Sequence, residues 1–159
     1  MSFIYHTIIG FAILVASPVI ALRAIFSSNF RSDFLKRIFG YKKLKPLNDC
    51  IWIHAASLGE VKLGETLISA LKEKGETRPI ILSTFTSTGF DQAKNDGVEH
   101  VFIMPPDFFL WVNSLLNRLC PAMLILIEGE MWPGLILSLI HISEPTRRTP
   151  ISYAVFCLK

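Results

Sequence analysis

The sequence predicts an α/β protein: an apolar N-terminal helix followed by one Rossmann-like parallel sheet domain. Three observations carry this. Four short apolar runs, at 50–54, 80–83, 101–104 and 123–127, alternate with stretches of helical period. The runs end in small, polar or turn-forming residues, as strands of a parallel sheet do where they feed into helices. Ahead of them, nearly every residue from Phe3 to Leu22 is apolar, with His6, Thr7 and Ser17 the clear exceptions. The 159 residues suffice for one domain of ordinary size.

The first segment, continued through Arg23 to Phe26, is just long enough to cross about 30 Å of hydrocarbon at about 1.5 Å per residue. Pro18 would kink it, which membrane helices tolerate. A cleaved signal peptide is the rival reading, but no basic stretch precedes the apolar run and no small-x-small site follows it. From Arg23 to Lys45 there are seven basic residues against one acid, Asp33, whereas Pro46 to Ile136 holds six basic and eleven acidic residues. A basic collar beside an apolar helix fits a tether to membrane lipids and not a nucleic-acid partner. The positive-inside rule then places the collar and the domain in the cytoplasm. The expected organisation is an anchor helix over 1–27, a basic helix and linker over 28–48, and the sheet domain over 49–136.

Phe30, Phe34, Leu35 and Ile38 share a side of a short helix over Phe30–Phe39, with Arg31, Lys36 and Arg37 elsewhere on it. Such a helix suits an anionic lipid surface or ordinary packing equally. Gly40 to Asn48 reads as a polar linker. Cys50–His54 is the first strand, and Glu60–Lys74 a helix with Leu63, Leu67, Ile68 and Leu71 inward, ended by Gly75. Ile80–Ser83 is the second strand, followed by a turn from Thr84 to Gly89 and a short helix to about Asn95. Val101–Met104 is the third strand and Phe108–Leu119 a helix, with Pro121 as a break before the fourth strand, Met123–Ile127. The three cysteines, Cys50, Cys120 and Cys157, have no metal-ligand spacing and no paired framework, so reduced thiols are expected.

Candidate chemistry sits in three turns at the ends of strands, where open α/β sheets bind ligands. Ser57-x-x-Glu60 has capping-box spacing, with Glu60 reaching back to the N-cap N–H. The same carboxylate stands where a general base would stand. Thr86 and Ser87 are candidate helix caps, and Pro133 suits a first helical position. Glu128 and Glu130 resist a capping account: two carboxylates beside an apolar strand, near Glu60, would raise at least one pKa and make a base or a cation site. His54 reads as a core histidine. There is no GxGxxG, no Walker lysine and no metal-binding histidine pair, so no cofactor or metal site is expected.

Taken together, Trp52-Ile-His-Ala-Ala-Ser-Leu-Gly-Glu60, Ser83-Thr-Phe-Thr-Ser-Thr-Gly89, Pro106-Asp107 and Glu128-Gly-Glu-Met-Trp-Pro133 resemble, in order and spacing, the N-terminal half of the 3-deoxy-D-manno-octulosonic acid (Kdo) transferases. The resemblance runs from the apolar helix to about Gly134. It implies a membrane-anchored glycosyltransferase with two Rossmann-like domains, the GT-B arrangement. Its activity would be transfer of Kdo from CMP-Kdo to the lipid A precursor, at the cytoplasmic face of the inner membrane. It implies Glu60 as the catalytic base, taking the proton of an acceptor hydroxyl that attacks the anomeric carbon in line with departing CMP. Ser57, Gly59, Thr84, Thr86, Ser87, Gly89, Glu128 and Glu130 would bind the acceptor or support the site. Gly129 departs from the family, which usually has Thr or Ser there; this loosens the loop but leaves both carboxylates.

The tail reads differently. Leu137 to Arg147 resembles the in-frame translation of a transposase sequencing-library adapter, and Ile151 to Lys159 resembles its flow-cell end. Residues 137–159 are therefore expected to be a non-native tail in which His141, Glu144 and Cys157 carry no functional weight. On this reading the domain is truncated, its fourth helix is compromised after Ile136, and the nucleotide-binding domain is missing, so the chain alone would be inactive. The alternatives are a membrane-tethered α/β binding module, complete in itself, and a GT-B transferase using another sugar nucleotide.

Overall fold

A computed structural model describes residues 2–96, 98–127, 132–142 and 152–156. Two helices come first, α1 (Ser2–Phe26) and α2 (Ser28–Phe39). Pro18 lies inside α1 without ending it. Ser27 separates the two helices, and its extended backbone lets Oγ accept the Phe30 N–H at 3.3 Å, an N-cap for α2. A 3-10 turn follows at Gly40–Lys43. It falls where a polar linker was expected, because Tyr41 is buried against the sheet and its hydroxyl bonds Ser114 at 3.1 Å.

The domain then alternates as the sequence indicates: β1 (Cys50–Ala55), α3 (Leu58–Glu73), β2 (Ile80–Thr84), α4 (Ser87–Asn95), β3 (His100–Ile103), α5 (Phe109–Leu119), β4 (Pro121–Ile127) and α6 (Pro133–Ile142). Pro121 opens β4 instead of breaking the chain before it; the left-handed Cys120, at φ 39°, makes the corner, and the register slips between Cys50 and Ile51. All pairings are parallel, and the order is β3-β2-β1-β4, with a fifth strand, β5 (Ser152–Phe156), outside β4. The chain steps outward from β1 to β3, then returns to lay β4 on the other side of β1. The crevice between the ends of β1 and β4 is therefore the topological switch point, where such sheets bind ligands.

Side chains alternate across the sheet. Trp52, Ile81, Phe102 and Leu124 pack with Val112, Leu115 and Leu119 on one face, while Ile51, Ile53, Leu82 and Ile125 pack with Val61, Ile68 and Ala93 on the other. The buried stripe of α3 is Val61, Gly64 and Ile68; Leu63 is exposed, and Leu67 and Leu71 are only half-buried. The stripe turned because Gly64 lies flat on the sheet: a Cβ there would meet Leu82 Cδ1 at 3.0 Å. Cys50 is a free, buried thiol; Cys157 lies outside the described residues.

The tail takes part in the structure. α6 runs on to Ile142, and Ser152–Phe156 forms β5, parallel to β4 from Met123↔Ser152 to Ile127↔Phe156. An unpaired sheet edge offers a row of N–H and C=O groups to any β-prone segment, and Tyr153, Val155 and Phe156 give this segment strand character.

Candidate active site

The turn after β1 holds a well-organised polar group. Ser57 is the N-cap of α3, in extended backbone, and its Oγ lies 3.4 Å from the Glu60 N–H. The Glu60 carboxylate turns back over the helix start. Its Oε2 accepts the Ala56 N–H at 2.7 Å and its Oε1 accepts the Ser57 hydroxyl at 2.7 Å. The expected box had Glu60 on the N-cap residue's own N–H; the carboxylate instead reaches one residue further back, to the last residue before the cap. Glu60 is only 9% exposed, while Ser57 and Gly59 are open to solvent. A buried carboxylate with two donors is fixed in place, and one of those donors, the Ser57 hydroxyl, belongs to an exposed residue.

The second turn packs on the first. Thr84, buried at the end of β2, donates its hydroxyl to the Ala56 carbonyl at 3.2 Å, and Phe85 N–H bonds the same carbonyl at 3.2 Å. Thr86 caps α4 by accepting the Gly89 N–H at 3.1 Å, so that helix begins at Ser87, earlier than the periodicity indicated. Ser87 lies in the first turn of α4 and is not its cap. Gly89 is required by close approach: a Cβ there would lie 2.6 Å from Thr84 Oγ1 and 3.2 Å from Val61.

Beneath these turns lies a buried polar chain. Ser83 Oγ accepts the Trp52 indole N–H at 2.7 Å and stands 2.8 Å from His54 Nδ1. His54 is the expected core histidine, but on one side only: its Nε2 is buried with no partner among the described residues, as is the indole nitrogen of Trp132. The two rings meet edge to face at 5.7 Å, and Trp132 also lies 5.4 Å from Phe85. Burial pushes the His54 pKa down to about 4, opposed by the Glu60 charge and by a hydrogen bond to the Ser83 backbone. The imidazole is therefore neutral near pH 7.

Of two further site-supporting residues, one carries no signal in the sequence and the other is marked only by its motif. Arg37 of α2 donates to the Phe85 carbonyl at 2.7 Å and the Met104 carbonyl at 3.4 Å, and its guanidinium lies 4.1 Å from the centre of the Phe85 ring. No local pattern marks it out among the basic residues of that helix. Asp107 was visible only as part of a motif. Its Oδ2 accepts the Gly134 N–H at 2.7 Å, capping α6 from a distance, and the Tyr5 hydroxyl at 2.8 Å.

The structure thus brings Ser57, Glu60, Thr84, Thr86 and Gly89 to one edge, beside the switch point. Glu128 and Glu130 lie outside the described residues; they follow directly on Ile127, which pairs with Ala55. Among the described residues, no cluster of three His, Cys, Asp or Glu side chains could hold a metal ion.

The same region is shared with known proteins. The 3-deoxy-D-manno-octulosonic acid transferase of Haemophilus influenzae is 31% identical over 132 residues, covering 78% of this chain and 31% of that protein. A probable mitochondrial 3-deoxy-D-manno-octulosonic acid transferase of Arabidopsis thaliana is 34% identical over 104 residues, 63% of this chain and 23% of its own length. A bifunctional glycosyltransferase/methyltransferase of Fusobacterium nucleatum is 36% identical over 90 residues, 54% of this chain and 14% of its own. The chain therefore spans less than a third of the length of these relatives. The family model for 3-deoxy-D-manno-octulosonic-acid transferase (kdotransferase) matches residues 32–145. That interval takes in β1 to β4 and every turn described above, and by it the chain belongs to the Kdo transferase family of glycosyltransferases, as its N-terminal α/β domain.

Proposed function

We propose that this chain is the acceptor-side half of an inverting Kdo transferase, with Glu60 as its general base. The acceptor would be the lipid A precursor and the donor CMP-Kdo, held mainly by a second Rossmann-like domain, at the cytoplasmic face of the inner membrane. The observation that carries this is the placement of the Glu60 carboxylate. It is buried at the end of β1, beside the switch point, and pinned by the Ala56 N–H on one oxygen. The other oxygen is held by the hydroxyl of Ser57, an exposed residue. Rotation of that hydroxyl hands Oε1 to an incoming sugar hydroxyl while Oε2 stays anchored. The acceptor proton passes to Oε1 as its oxygen attacks the anomeric carbon, and the bond to the CMP phosphate breaks on the opposite side. One carboxylate and one displacement give inversion, and CMP departs with its own phosphate carrying the charge.

Thr84 and Gly89 hold the two turns in register, while Ser57, Gly59, Thr86, Ser87, Glu128 and Glu130 would bind the acceptor or support the site. The basic collar and the apolar helix hold the domain at the surface where the acceptor lipid is confined.

The test is Glu60→Gln in a full-length family member carrying this N-terminal half. Glutamine keeps an acceptor for the Ala56 N–H, so folding should persist, while transfer should fall by roughly 10²–10⁴-fold. Near-normal turnover would leave Glu60 a cap and nothing more. These 159 residues by themselves should release no CMP from CMP-Kdo in the presence of lipid A precursor, because they span less than a third of the relatives' length. Acceptor-dependent release at the rate of an intact family member would overturn the division of labour.

A further inference from the structure

The N-terminal helix has the length and composition to cross a membrane over Thr7–Phe26, yet both of its ends rest on the same domain. At its C-terminal end it passes through Ser27 straight into α2, which is fixed to the sheet by buried Ile38 and by Arg37 on the carbonyls of Phe85 and Met104. At its N-terminal end, the Tyr5 hydroxyl bonds Asp107 at 2.8 Å, and a Cβ on Gly10 would lie 3.4 Å from the Phe108 ring. A helix of twenty residues is about 30 Å long, the thickness of the hydrocarbon layer. Crossing the bilayer would carry Tyr5 to the far side, a full membrane away from Asp107.

We infer that α1 lies along the membrane surface, with one face on its own domain and the other in the lipid interface. This rests on the membrane attachment proposed above and specifies its geometry. The exposure pattern divides the helix lengthwise. Tyr5, Ile9, Ile13, Ala16, Ile20 and Ala24 recur every three or four residues and are half-buried. Around the rest of the circumference, Ile8, Phe11, Leu14, Val15, Val19, Leu22, Ile25 and Phe26 are 60–83% exposed. A helix surrounded by hydrocarbon could not also lay one stripe on its own domain, whereas an interfacial helix has two kinds of neighbour.

The charges beside the exposed stripe select the occupant. Arg23, 5.2 Å from the centre of the Phe30 ring, Arg31 and Lys36 are exposed on α1 and α2, and so are Leu35 and Phe39. A bilayer with anionic headgroups satisfies the apolar stripe and the cations together. A second copy of the chain packed on the same stripe would bring like charges face to face.

The experiment uses the full chain with its cysteines replaced by alanine. Single cysteines are then placed by Phe11→Cys, Val15→Cys, Val19→Cys, Leu22→Cys or Phe26→Cys, and each is labelled with an environment-sensitive fluorophore. Vesicles of phosphatidylethanolamine and phosphatidylglycerol carry lipids brominated at graded depths. All five positions should be quenched at one shallow depth, about 5–10 Å below the headgroups. In parallel, an otherwise unaltered chain carries a polar cysteine-containing tag ahead of Met1, in cells. An impermeant maleimide should label it in inverted vesicles and, in spheroplasts, no more than it labels the untagged chain. A profile deepest at Val15 and Val19 and shallow at Phe26, or tag labelling from outside spheroplasts, overturns the in-plane arrangement and leaves attachment intact. A chain that binds neither vesicles nor membranes, whether as a monomer or a soluble dimer, overturns both.

Discussion

The turns after β1 and β2 are built alike and end differently. In each, a hydroxyl residue in extended backbone, Ser57 or Thr86, caps the following helix by accepting the N–H three residues on. At that third position the first turn has Glu60 and the second has Gly89. The glutamate folds back and fills the space above the helix start with a carboxylate. The glycine leaves that space to its neighbours, since a Cβ would strike Thr84 and Thr86. The comparison teaches that the cap itself is common hardware. What sets one turn apart is the charged group stationed in it, and the second turn is cut back so that the first fits beside it.

The largest expected effect separates the two turns outright. Glu60→Gln should cost roughly 10²–10⁴ in transfer with the unfolding midpoint nearly unchanged, as measured by turnover and denaturation on one preparation. No change at the second turn should show that pattern.

Next in size is the link between the strands that lead into the turns, His54 on β1 and Ser83 on β2. His54 sits near pKa 4 in the fold, from an ordinary value of 6.5, chiefly through burial. The unfolded chain therefore binds more protons between those values. Stability should be fully present above about pH 6.5 and lost as pH falls toward 4, by a few kcal/mol at most. Denaturant midpoints across that range check it; a flat profile would mean that the histidine is hydrated in the fold.

Gly89→Ala should cost about 1–3 kcal/mol through overpacking. The methyl group displaces the Thr84 hydroxyl, which holds the Ala56 carbonyl in the first turn. Transfer should therefore fall along with stability; an unchanged midpoint would show that the turns are not in contact.

Smallest, and most discriminating, is the pair Ser57→Ala and Thr86→Ala. Each should cost about 1 kcal/mol as a lost cap. Only Ser57→Ala should also depress turnover beyond its effect on stability, because it frees one oxygen of Glu60. Equal effects on turnover would reduce the first turn to a cap.

Much of this was legible in the residues. The apolar runs gave the strands because a parallel sheet buried on both faces needs nothing but apolar side chains there. The small and hydroxyl residues after each run marked the turns because caps require them. What the sequence concealed depends on approach between distant segments. Leu63 looked inward by period, but α3 rolled to bring Gly64 onto Leu82. Arg37 looked like one cation of a collar, and its partners are carbonyls 48 and 67 residues away. Tyr41 looked like linker until Ser114 and the core around it were in place. The partner of the Glu60 carboxylate was off by one residue because spacing does not report where the side chain turns.

Asp107 has a practical consequence. One of its oxygens receives both the Tyr5 hydroxyl and the Gly134 N–H, so the first helix and the sixth share a single acceptor. A version cut at residue 27 to ease purification would not be the same domain relieved of a greasy handle. It would have lost a donor on the carboxylate that starts α6, and Phe108 would have lost the Gly10 backbone beside its ring. Properties of the crevice measured on such a trimmed protein would describe a site whose far wall had been loosened at its footing.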